Sequence, residues 1–297
     1  MIINRFNRWV IFTIAILFSF SEITGHAQII FVPSNSLNTV EMFSPTGSDL
    51  GAFATTGLNG PVGLAFDSVE NLYVANANDG TIEKFTPGGV GSVFATGLNG
   101  LIGLVIDGSD NIYVSERGTN AIMKFTSSGV GSVFVNNNSS GYAGLAIDTL
   151  GNLYVANDNG NVIENYTSGG VGSVFANTGL DFPYGLTFDS SGNLYAANTG
   201  NDTIEKFTPG GTASVFATGL NEPVGLIFDG NGNLLVSNAG SGTIEKLSST
   251  GADLGVFASL AEPAFFAISV PEPSTWLMLC FGISALAFMP LQRLRNK

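Results

Sequence analysis

Between residues 28 and 269 the chain is a succession of short apolar runs separated by clusters of Gly, Asn, Asp, Ser and Thr. Four runs make one unit. In one copy GLAFD (Gly63–Asp67) is followed by the polar turn Ser68–Asn71, then LYVAN (Leu72–Asn76) and the turn Ala77–Gly80. TIEKFT (Thr81–Thr86), the turn Pro87–Gly89 and SVFA (Ser92–Ala95) complete it. Runs this short, bounded by turn formers and without a helical period, predict β-strands. The first two runs are apolar at both alternating positions, which predicts strands packed on both faces. The third admits Glu83 and Lys84 and is expected nearer the rim. Gly63 and its counterparts leave room for the innermost strands to approach one another.

The unit recurs. The opening phrase returns at Gly103–Asp107, Gly144–Asp148, Gly185–Asp189 and Gly225–Asp229, at spacings of 40, 41, 41 and 40 residues. Thr81–Asn99 reappears almost unchanged at Thr203–Asn221, differing only where Val90 and Gly91 become Thr212 and Ala213. A period near 40 without helical pattern predicts four-stranded propeller blades rather than a helical solenoid. The second-strand phrase occurs six times, first as IFVP at Ile30–Pro33 and last at Leu234–Asn238. A sixth, worn first strand is PAFFAI, Pro263–Ile268. The fold class is therefore expected to be all-β: a six-bladed β-propeller in which N- and C-terminal strands share one blade, closing the ring and removing its sheet edges.

Charge changes the picture next. Between Gln28 and Val270 there are 21 acidic residues and five basic ones, Lys84, Arg117, Lys124, Lys206 and Lys246. A surface this acidic repels phosphates, so no nucleic-acid partner is expected. The one cysteine, Cys280, lies outside this region and supplies no disulfide framework.

The two ends read as addresses. Residues 1–27 have Arg5 and Arg8, an apolar run Trp9–Phe20 and Gly25-His26-Ala27. This predicts a secretory signal helix cut before Gln28. Residues 270–297 carry Val270–Ser274 (VPEPS), an apolar run Thr275–Leu291 and a basic tip with Arg293, Arg295 and Lys297. The run predicts a C-terminal transmembrane helix at the short limit for a span, with the basic tip on the cytoplasmic side.

Those last 28 residues resemble the PEP-CTERM sorting signal: Pro271-Glu272-Pro273, a hydrophobic helix and a basic cluster. The resemblance implies a Gram-negative, exopolysaccharide-producing bacterium and processing near the motif by an exosortase-type protease. The protein is then expected to be exported and held by the membrane helix before processing. Its destination would be the cell envelope, outer surface or extracellular matrix. The blades, P-x-G-L-A-F-D…G-N-L-Y-V-A-N…I-x-K-F, resemble the NHL family of six-bladed propellers across roughly 29–269. Together these resemblances imply a binding or structural scaffold linked to exopolysaccharide, biofilm or envelope proteins. The alternative is a metal-dependent lactone hydrolase of the gluconolactonase-like propeller type, using Glu and Asn/Asp oxygens. Streptogramin lyases share the architecture but depend on a catalytic histidine.

Candidate chemistry is sparse. The sole histidine, His26, lies in the segment expected to be removed. The mature chain would then lack the means for Ser-His-Asp, Cys-His or His-ligated metal chemistry. Asp67, Asp107, Asp148, Asp189 and Asp229 recur at one position, as do Asn76, Asn157, Asn198 and Asn238, with Glu116 in the odd blade. Parts present in every blade are expected to serve the blade, the Asp by capping the following turn. Asp229–Asn233 has oxygens spaced as in an EF-hand but lacks its Gly and terminal Glu, so no catalytic set, metal or cofactor is expected. Residues that differ between blades are better candidates. Val62, Ile102, Ala143, Tyr184 and Val224 are expected to border the mouth of the axial channel. Tyr142 and Tyr184 are candidate stacking platforms for sugar or peptide there, with Glu116 and Arg117 beside them.

Overall fold

The computed structural model describes residues 28–136 and 141–269; the candidate signal helix, the sorting motif and the transmembrane helix lie outside the described residues. The chain opens with β1 (Ile29–Ser34), β2 (Thr39–Phe43) and β3 (Asp49–Ala54). Blade two is β4 (Pro61–Phe66), β5 (Leu72–Asn76), β6 (Thr81–Phe85) and β7 (Gly91–Ala95). Blade three is β8 (Leu101–Ile106), β9 (Ile112–Glu116), β10 (Ala121–Phe125) and β11 (Gly131–Val135). Blade four is β12 (Tyr142–Ile147), β13 (Leu153–Asn157), β14 (Val162–Tyr166) and β15 (Gly172–Ala176). Blade five is β16 (Pro183–Phe188), β17 (Leu194–Asn198), β18 (Thr203–Phe207) and β19 (Ala213–Thr218). Blade six is β20 (Pro223–Phe228), β21 (Leu234–Asn238), β22 (Thr243–Leu247) and β23 (Asp253–Ser259), and the last strand is β24 (Ala267–Ser269).

Six antiparallel four-stranded sheets result, and one has the order β24-β1-β2-β3. The final strand thus forms the inner edge of the blade begun at the N-terminus. Ile29 pairs with Ser269, and Ser34 bridges to Pro263. This is the closed six-bladed propeller the repeat predicts. The inner strands start two residues earlier than the apolar phrase suggests, because Pro61 already sits opposite Asn76, as Pro183 does opposite Asn198.

Six apolar clusters fill the six interfaces between blades. Phe31, Val40 and Ala54 of blade one meet Leu64, Leu72, Val74 and Phe85 of blade two, and the pattern repeats round the ring. Inner strands lie between neighbours on both sides, which is why their sequences are continuously apolar. A Cβ on Gly63 would stand 2.5 Å from Ile102 O in the next blade, and one on Gly185 would stand 2.2 Å from Val224 O. The glycine ring therefore sets how closely blades meet at the hub. Outer strands add a device that the alternation does not reveal. The β6–β7 register shifts between Ile82 and Glu83, and the same shift recurs in the other five blades. The bulge turns Phe94 inward, where it packs edge-on against Tyr73 of its own blade and Phe125 of the next.

Candidate functional site

The recurring polar residues are structural. Asp67 Oδ1 accepts hydrogen bonds from the backbone N–H of Val69 (3.1 Å) and Asn71 (2.8 Å), and Oδ2 accepts from Asn71 Nδ2 (2.7 Å). Asp148, Asp189 and Asp229 cap their turns alike. Lys84, Lys206 and Lys246 reach the Asp of their own blades at 3.7, 3.8 and 2.8 Å. Asn76 is fully buried. Its Oδ1 accepts from Asn59 N, and its Nδ2 donates to Gly57 O and Thr81 Oγ1. Among the described residues no group of three or more His, Cys, Asp or Glu side chains gathers to hold a metal ion. The five recurring aspartates are each committed to the turn of their own blade.

Two of the sequence candidates play other parts. Glu116 takes over the asparagine clamp: it is buried, Oε1 accepts from Asn99 N at 2.9 Å, and Oε2 accepts from Thr119 Oγ1 at 2.8 Å. It offers nothing to a ligand. Tyr142 is wholly buried and presents no face for stacking. It opens β12, at the slot filled by Pro61 or Leu101 in neighbouring blades, and points into the interface between blades three and four. Its hydroxyl lies 3.1 Å from that of Tyr166 and 3.3 Å from Glu164 Oε2, and Tyr166 itself bonds Glu164. A buried phenol needs such a partner. The two tyrosines stand in one blade where its neighbours have apolar residues, and that coincidence was the available sequence signal. Burial and the bond to Glu164 push the Tyr166 hydroxyl far up. A flank cavity of about 490 Å³ adjoins Glu164 and Tyr166.

Arg117 and Tyr184 both stand at the end of the axis where the inner strands begin. Arg117 follows the clamp residue of blade three. Its N–H donates to Gly100 O, as the N–H of Ala77, Asp158, Thr199 and Ala239 do to the matching carbonyls of their blades. At this one slot, blade three has Arg117 and blade four has Asp158, and the two form an ion pair across the blade boundary. The Asp158 side chain is 4% exposed and the Arg117 side chain 42%. The acid is thus sunk beneath the mouth and holds a guanidinium that remains open to solvent. Sequence reasoning missed Asp158, because nothing in a spacing of 41 residues says that adjacent blades set these loops side by side.

Tyr184 occupies the slot held by valine, isoleucine or alanine elsewhere in the ring. It stacks on Phe265, with ring centroids 5.7 Å apart and planes 19° from parallel. Burial pushes its hydroxyl up; the nearby Arg117 charge opposes this and Asp158 adds to it. Phe265 stands at the hub position that is glycine in the other five blades. The strand is interrupted there: residues 264–266 are not in a strand and β24 has only three residues. Phe265 also lines an axial chamber of about 450 Å³, bounded by inner strands of all six blades, including Ala65, Val105, Ala146, Thr187 and Ile227. Ile29 and Ser269 lie at the opposite end of the axis from this mouth.

No family model matches this chain, and no curated protein does. Solved structures do. A chain of a nidogen/laminin complex superposes with a TM-score of 0.74 at 20% identity, covering 81% of this chain and 98% of that one. A Bacteroides caccae protein of unknown function gives a TM-score of 0.64 at 13% identity, covering 83% and 100%. A catalytically inactive histidine-to-alanine variant of virginiamycin B lyase from Staphylococcus aureus, with quinupristin, gives 0.58 at 16%, covering 80% and 78%. At these identities the likeness is one of fold. Function rests on the site.

Proposed function

We propose that this protein is an exported propeller scaffold with NHL-type blades, sorted by a PEP-CTERM tail, that binds an envelope or matrix component at its axial mouth. The observation that carries the binding role is the coincidence at that mouth. Arg117, Asp158, Tyr184 and Phe265 come from four blades: Arg117 pairs with Asp158, Tyr184 stacks on Phe265, and the charges of Arg117 and Asp158 act on the Tyr184 hydroxyl. Independent drift among repeats has no reason to gather its departures in one place, whereas a recognition site needs unlike residues from unlike blades. The exposed guanidinium supplies directional donors, and the Tyr184 ring, braced by Phe265, supplies a flat apolar face. Export and processing by an exosortase-type protease rest on residues 1–27 and 270–297 of the sequence. A lyase reading finds no support, because the one histidine is His26 and the propeller has none.

Immobilised Gln28–Val270 incubated with the host's own envelope and matrix fractions tests the binding role. Retention that falls at least tenfold in R117A/Y184A, measured well below the lowered melting temperature of that variant so that both proteins are folded, is the expected outcome. Equal retention by both proteins sinks the role assigned to the mouth. Intact-mass analysis of the protein recovered from the host surface tests the two addresses: cleavage before Gln28 and near Pro271 is expected, and a full-length mass overturns it.

A further inference from the structure

The outer strands form the rim of the disc, and they are not alike in how their free edges are protected. β7, β11, β15 and β19 read GSVFA, GSVFV, GSVFA and ASVFAT, without a charge, and the turns that lead into them are uncharged too. Each has a single register shift, at the Phe end. β3 and β23 differ. They begin at Asp49 and Asp253, they contain Gly51 and Gly255 at φ 89 and 93, and each has two shifts in register. Charge and bulges are the usual means of blunting a sheet edge against pairing. Blades one and six use both; the arc of blades two to five has one bulge per strand and nothing more.

That arc also carries exposed apolar side chains, as blade six does with Leu254 and Val256 at 56% and 62%, but without the charge and extra bulge found there. Val93, Val133, Val174 and Val215, at one equivalent position, are 58–62% exposed, and Val90 and Val130 in the preceding turns are 68% and 66% exposed. None of the 21 acids between Gln28 and Val270 falls in these four strands or their lead-in turns. Two copies of so acidic a disc repel each other face to face, and the rim arc is where they approach with least opposition.

We propose that this uncharged arc pairs edge to edge with the same arc of a second copy, strand to strand and antiparallel, so that the propellers assemble into open, rim-linked arrays. The occupant is the chain itself because the four strands are near copies of one another: the Gly/Ala-Ser-Val stretch of any of them meets the same stretch on any other, valine packing against serine and valine across the join. The regular stretch is short, and one such join buries far less than the roughly 1,200 Å² of a stable interface. Each link is therefore weak, and four edges per copy make the assembly multivalent and non-closing. Nothing in this depends on the ligand of the mouth.

Every described strand finds its partners within residues 29–269, so Gln28–Val270 is the unit to examine. Sedimentation velocity across micromolar to millimolar protein, at low and high salt, is expected to show species that grow with concentration, more so at high salt where mutual repulsion is screened. The variant V93K/V133K/V174K/V215K is expected to abolish that growth while melting as the wild type does. Because four lysines lower the net negative charge, its failure to associate cannot be laid to net repulsion between the acidic discs; the charge acts at the edge itself. L254K/V256K, on the blunted edge of blade six, is expected to associate as the wild type does. A propeller that stays monomeric throughout, or a quadruple lysine variant that associates undiminished, overturns the proposal.

Discussion

Removing Arg117 while leaving Asp158 in place isolates the energetics of the mouth. Breaking a fully buried ion pair at one partner costs about 3–5 kcal/mol, mostly for the charge left behind. Here the Asp158 side chain is 4% exposed but Arg117 is 42% exposed, so solvent already screens half of the pair. R117A is therefore expected to lose about 1–3 kcal/mol. At this size that lowers the melting temperature by about 2–4 °C per kcal/mol. R117A/D158A behaves differently. It recreates the alanines found at the same slot as Ala77 and Ala239, and it removes a carboxylate whose Oδ1 is buried without a hydrogen-bond partner. The double variant is expected to lie within about 1 kcal/mol of wild type, since replacing a buried pair by apolar groups is often neutral. Urea unfolding of wild type, both single variants and the double variant gives the coupling directly. If the two single losses simply add in the double variant, the two side chains are energetically uncoupled and do not act as a pair. The claim that it persists for recognition would then fail.

Three further outcomes follow from the fold. The carboxyls of Glu83, Glu205 and Glu245 are held above the ordinary 4.5 chiefly by burial, so the stability they contribute is present below that value and lost as pH rises through their folded values. In Asp107, Asp189 and Asp229, burial is outweighed by hydrogen bonds from Asn111, Asn193 and, for Asp229, Lys246 with Asn233. Their carboxyls are held below 3.8, and their contribution is lost as pH falls through the folded values. Melting followed by circular dichroism is thus expected to be higher near pH 4.5 than at pH 7.5, with the gap narrowed in E83Q/E205Q; a melting temperature that rises between those values contradicts the reading. Asn76→Ala strands Asn59 N–H and Gly57 C=O, while Thr81 Oγ1 keeps its bond to Asp79, and is expected to cost about 2–3 kcal/mol by urea unfolding, against less than about 0.5 for the exposed Ser92→Ala. A stop after Glu262 removes β24 and leaves β1 without its inner partner; loss of a single cooperative melt is expected, and a sharp, unshifted transition would show that the closing strand is dispensable.

Much of this architecture is written in one dimension. Period, strand order within a blade and ring closure all follow from where the apolar phrases recur, because each blade buries its faces against a neighbour built from the same phrase. The Asp caps and Asn clamps were legible for the same reason: their partners lie within a few residues or one hairpin. Three-dimensional packing decided what depends on neighbours far along the chain. It turned Tyr142 inward, because Tyr166 and Glu164 give its hydroxyl a buried partner there. It used Glu116 as a clamp, since a longer carboxylate reaches the same backbone N–H that asparagine does. It set Arg117 beside Asp158 and Tyr184 on Phe265, pairs that meet only when the ring closes and brings unlike blades to one mouth. Local pattern fixes what each segment becomes, but side chains at an interface answer to whatever the closed ring places opposite them.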